Sequence, residues 1–151
     1  VPVTPDRIAV ARAVHVTAAV LLLGNVVVTG FWAAYLRRRG DVVAFRAVAR
    51  AVLLADLLFT LGGGVLLTVS GILLVLWRGY DPAATPWLAQ GIVALALATL
   101  VWLVVLLPDQ WRMARAADDA RLGRVFVRWS VVGWLDTLLL FAGLWAMVTR
   151  R

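Results

Sequence analysis

Cysteine, lysine and glutamate are absent from these 151 residues, and histidine occurs once, at His15. Without cysteine there is no disulfide, no thiolate metal site and no cysteine nucleophile, and the redox compartment cannot be read. One histidine is too few for a zinc site, which needs three or four side-chain ligands. Ser70 and Ser130 have no evident base, so no catalytic set is visible. Every basic residue is one of 15 arginines and every acid one of 8 aspartates. That bias points to a GC-rich bacterial genome and has no bearing on mechanism.

What the chain has in abundance is apolar surface. Hydrophobic residues make up 64% of it, with a mean hydropathy of +0.94, the composition of an integral membrane protein. One bundle uses the whole length, so a single domain over residues 1–151 is expected. A net charge of +7 would suit nucleic acid, but the arginines cluster beside hydrophobic runs. Orientation and headgroup contact account for them, so the expected partner is the lipid bilayer and not nucleic acid. The first apolar run is far longer than the ~7–15 residues of a signal-peptide core and follows no basic cluster, so it is read as a span.

Four runs are long enough to cross a membrane: about 8–36, 51–77, 87–107 and 125–147. The expected fold is an all-α, four-helix transmembrane bundle. The stretch Asp41–Arg50 either extends the second helix or lies at the interface. The third helix, apolar all round, is expected at the lipid-facing edge and is expected to end at Pro108. The segment Asp109–Arg128 reads as a solvated helical loop. The loops after helices one and three hold five arginines each, against five in all elsewhere. Positive-inside bias then puts both arginine-rich loops in the cytoplasm of a bacterial inner membrane and both termini outside.

The first helix carries the most informative pattern. His15, Ala18, Ala19, Leu22, Asn25, Thr29 and Ala33 fall on one side of a wheel turning ~100° per residue. Polar atoms gain nothing by facing lipid, so this stripe faces protein. On the second helix Asp56, Thr60, Gly63, Leu67 and Ser70 form a similar stripe, flanked by Gly64 and Gly71. The run Gly62, Gly63, Gly64 permits close helix packing or clearance for a flat ligand such as a porphyrin. On the fourth helix Asp136, Leu140, Gly143 and Met147 share a face.

Three ionisable residues lie well inside the spans, away from their ends: His15, Asp56 and Asp136. Such groups are costly there and are candidate functional sites by default. By helical rise Asn25 and Asp56 share a depth and are expected to hydrogen-bond. The aspartates read either as packing clamps or as a proton or cation path. His15 is expected opposite Gly63, Gly64 and Leu67, as a hydrogen-bonded packing residue or as an axial haem ligand. One histidine gives one ligand per chain, so six-coordinate haem needs Met147, a water, or His15 of a second chain in a homodimer.

The first helix (HVTAAVLLLGNVVVTGFWAAYLRR), the second (LLADLLFTLGGGVLLTVSGILL) and the close (RWSVVGWLDTLLLFAGLWAMV) resemble the DUF2269 family of predicted bacterial integral membrane proteins. The residues that carry the likeness are His15 with Gly24, Asp56 with Gly63 and Gly71, and Trp129 with Gly133. More distantly, the His15 helix resembles the first helix of CopD-like copper-resistance proteins and of HemJ-type protoporphyrinogen oxidases. The HemJ-type likeness implies haem b on His15. Those proteins carry further histidines or a lysine, and this chain has neither. Two functions follow. One is a haem-b-binding, redox-linked membrane protein with a membrane or periplasmic redox partner. The other is a non-enzymatic membrane module, a small transporter or assembly subunit, with Asn25, Asp56 and Asp136 fixing the packing.

Overall fold

The computed structural model describes residues 4–115 and 119–150. Asp118 and Arg151 lie outside the described residues, as do the side chains of Asp119 and Arg121. Among the described residues there is no strand; the chain is four long helices, each long and apolar enough to cross a membrane. Helix α1 spans Pro5–Arg39. Proline at its first position costs nothing, because that N–H has no helical partner. Its end is set by Gly40, whose φ of 73° only glycine adopts freely, with its N–H returned to the Arg37 carbonyl.

Helix α2 is continuous in three parts: Val42–Ala55, a π-helical turn Asp56–Leu61, and Gly62–Arg78. Asp41 caps its start by accepting from the Ala44 N–H at 2.9 Å. The stretch Asp41–Arg50 therefore extends the second helix. Helix α3 likewise runs Pro86–Val101, π-helical Trp102–Leu106, and Leu107–Arg115. Pro108 does not end it. A proline lacks the N–H for its own turn and crowds the carbonyl four residues back. The π turn just before it absorbs that conflict by widening the ladder, so that the Leu107 N–H reaches back to the Trp102 carbonyl. Helix α4 spans Asp119–Thr149, starting earlier than its apolar run suggests.

The four helices form two hairpins. In the first, α1 packs along α2 through small residues: a Cβ at Gly63 would lie 3.4 Å from the Ala18 carbonyl oxygen and from the Leu22 Cβ. In the second, α3 packs along α4, where a Cβ at Gly143 would lie 2.8 Å from that of Ala94 and one at Gly91 would collide with Met147. Glycine here lets backbones approach in a setting where lipid offers no hydrophobic drive to associate. Helix α3 is thus no lipid-facing edge: Leu88, Ala94, Ala98, Trp102 and Leu106 are all buried. Leu58, Leu76, Leu138, Trp145 and Val148 are among the large side chains left outside, toward lipid.

The hairpins meet at the arginine-rich end. Phe45, Ala49 and Val52 of α2, Trp102, Leu106 and Met113 of α3, and Leu122 and Trp129 of α4 form one apolar core there. Phe45 and Phe126 meet edge to face with centroids 5.5 Å apart. Toward the end that carries the termini, Gly62–Arg78 packs on α1 and Pro86–Val101 on α4, and these two segments scarcely touch each other. A cavity lies between them.

Candidate functional site

Asp56 sits where the first π turn begins and is buried, as its place on the stripe requires. Asn25 donates to its Oδ1 at 2.6 Å, and Thr60 donates to the same oxygen at 3.1 Å. Asn25 also reaches Thr60 Oγ1 at 3.0 Å. Gln110 of α3 donates to the other oxygen, Oδ2. All these partners are neutral. The indole of Trp102 lies close to the same carboxylate, though its N–H completes no regular hydrogen bond. Sequence reasoning paired Asn25 with Asp56 and missed Gln110, which is 2% exposed.

Gln110 and Asp109 correct the reading of this segment as a solvated loop. Asp109 has no exposure at all and binds Arg112 at 2.7 Å. It also accepts from both ends of the Arg128 guanidinium, at 2.8 Å from Nε and from Nη2 as well. The forked arginine contact on a buried carboxylate ties α3 to α4. Past Pro108 the helix continues its inward face, and Trp102, Leu106, Gln110 and Met113 at helical spacing are the signal that was there to read.

Asp136 is 7% exposed and differs in kind. Its Oδ1 is enclosed, and the carboxylate makes no hydrogen bond to any described residue. The neighbouring Thr137 turns its hydroxyl back on the Gly133 carbonyl at 2.7 Å. Both residues line the cavity between the hairpins, which has a volume of about 300 Å³. Asp56, Thr60, Gln110, Trp102 and Trp129 line it too, and no arginine does among the described residues. Besides Asp136 Oδ1, three more enclosed polar atoms without partners belong to lining residues: Gln110 Oε1, Trp102 Nε1 and Trp129 Nε1. Buried polar atoms are normally satisfied, and these four, two acceptors and two indole donors enclosed in the cavity wall, single out this chamber as the candidate site.

His15 lies elsewhere. Its Nδ1 is 3.0 Å from the Leu67 carbonyl and 3.1 Å from Ser70 Oγ, and Ser70 itself donates to the Leu66 carbonyl at 2.5 Å. A carbonyl only accepts, so Nδ1 carries the proton and Nε2 the lone pair. The ring lies over Gly71, where a Cβ would be 3.1 Å from Cε1. Gly63 and Gly64 face Leu22 instead, deeper in the seam, and Met147 lies against Gly91. The residues named for a haem are therefore not brought together. The α1–α2 seam is closed at van der Waals distance beside Gly63, and a porphyrin does not fit between these helices. No group of three or more His, Cys, Asp or Glu suited to a metal ion occurs among the described residues.

No curated protein and no solved structure matches the chain. The family description that does match reads "predicted integral membrane protein" and covers residues 9–151. That span takes in both hairpins and every residue that lines the cavity. The chain belongs to the DUF2269 family of integral membrane proteins.

Proposed function

We propose that this is a non-enzymatic membrane module, a small transporter or carrier, whose working site is the cavity between the two hairpins. The observation that carries the reading is the set of unpartnered polar atoms around a mainly apolar chamber about halfway along the helices. Residues that line it include Val65, Thr68 and Val69 of α2 and Thr99 of α3, all of them exposed, so the cavity is not sealed. A lipophilic molecule can thus enter sideways from the bilayer, between segments that scarcely pack on each other. Positive-inside bias favours an orientation in a bacterial cytoplasmic membrane with the tightly packed arginine-rich end inside. Cysteines at Ala44 and Ala84 test it: Ala84→Cys is expected to react with an impermeant reagent from outside, and Ala44→Cys only after lysis.

A small apolar photoprobe, trifluoromethyl phenyldiazirine, tests the site itself. Dissolved in the bilayer and photolysed, it labels whatever it can touch. Adducts are expected on Trp102, Gln110 and Thr137, which line the cavity and are 2–7% exposed, as well as on lipid-facing Leu138. Ala98→Trp, filling the cavity from α3, should abolish only the former. Labelling confined to lipid-facing positions contradicts the reading.

A further inference from the structure

We infer that the occupant of the cavity is an organic cation, a small amphiphilic amine or quaternary ammonium, held by Asp136. The inference rests on the reading of the cavity as the working site and adds the charge of what enters it. Two carboxylates line the chamber and no cationic side chain does among the described residues. Asp56 already receives bonds from Asn25, Thr60 and Gln110. Asp136 receives none, and its Oδ1 is enclosed beside the cavity. An ionised carboxylate at this depth is costly without a counter-charge, so a cation is the ligand that Asp136 binds best.

The aromatic faces of the walls agree with the charge, although a cation leaves the indole N–H donors of Trp102 and Trp129 as they are. Trp102, Trp129 and Trp134 come from α3 and α4 and line the same space. Indole faces are the most favourable aromatic partners for ammonium groups, above all when water is excluded. Gln110 Oε1 is a further unpartnered acceptor. An anion would meet two carboxylates and no arginine, and a neutral hydrocarbon would leave these acceptors unmatched. The apolar remainder of the lining, including Leu22, Val26, Leu95 and Leu140, suits the hydrocarbon part of an amphiphile.

Benzyltrimethylammonium and neopentylbenzene have nearly the same shape and differ in charge, and they separate the two levels of the argument. Binding of each to the full chain, in nanodiscs of zwitterionic phosphatidylcholine, is measured by equilibrium dialysis. The cation is expected to bind saturably at one site per chain. Asp136→Asn should weaken it roughly ten- to hundredfold through loss of the Coulomb attraction between carboxylate and ammonium, whereas Asp136→Glu should retain most of it. Asp56→Asn should have a smaller effect, because that carboxylate is already surrounded by donors. Equal binding of both probes, indifferent to Asp136→Asn, overturns the cation and keeps the cavity. Failure of both probes to bind, together with absent photolabelling of Thr137, overturns the cavity as well.

Discussion

The two aspartates that share this cavity are treated in opposite ways. Asp56 is held by three neutral donors drawn from α1, α2 and α3, so it joins the first hairpin to the second. Asp136 is as deeply buried and touches no donor. A buried polar group that organises its surroundings is structural, and one its surroundings leave bare is kept for something else. The contrast extends to the hairpins. Within each, glycines bring helices into contact, whereas between them the segments Gly62–Arg78 and Pro86–Val101 scarcely touch. The molecule is closed where it is structural and open where it is bare.

Breaking the structural half of this contrast should give the largest effect. Asp56→Leu removes the acceptor from Asn25 and Gln110 and leaves one half-buried and one buried amide without it. A loss of about 2 kcal/mol is expected from membrane hydrogen bonds of this kind, read as a lowered thermal midpoint in detergent. Next in size is Gly143→Val. Its branched side chain meets Ala94 where even a Cβ is too close, and overpacking that the flanking helix can relieve by a small shift should cost about 1 kcal/mol. Asp56→Asn keeps an acceptor oxygen for Asn25 and Thr60, so less than about 1 kcal/mol is expected. The smallest effect belongs to Asp136→Leu. With no protein partner to lose, its stability should be unchanged or raised, since an apolar group replaces a bare buried acid. A loss in Asp136→Leu as large as that in Asp56→Leu would erase the contrast.

Much of this architecture was legible in the sequence, and for one reason. In lipid, polar residues must face protein, so the 3.6-residue spacing of His15, Ala18, Leu22, Asn25 and Ala33 marks the inner face of α1 directly. Ala18, Leu22 and Ala33 are indeed 1–4% exposed. The Asn25–Asp56 bond follows from matched depth. The errors lie where local rules were overridden by tertiary packing. Pro108 reads as a stop unless a π turn precedes it, and π turns have no sequence signature of their own. Asp109 and Gln110 read as solvated because they stand among arginines, yet burial against Arg128 and Asp56 claims both. His15 is expected against Gly63, Gly64 and Leu67; its Nδ1 does meet the Leu67 carbonyl, but the ring lies over Gly71, two turns beyond Gly64, which faces Leu22 instead. Composition does not show the splay of the hairpins, because lipid-facing and cavity-facing apolar residues are alike.

The central claim is that Asp136 faces a chamber open to small lipophilic molecules and confers charge preference on it. The most direct test combines photolabelling with competition. Trifluoromethyl phenyldiazirine adducts on Gln110 and Thr137 are counted in the full chain with and without saturating benzyltrimethylammonium, in the native protein and in Asp136→Leu. The cation is expected to suppress those adducts in the native protein, to leave them unchanged in Asp136→Leu, and to spare labelling of Leu138 in both. Adducts that the cation never displaces, or that never form on Gln110 and Thr137, would contradict the account.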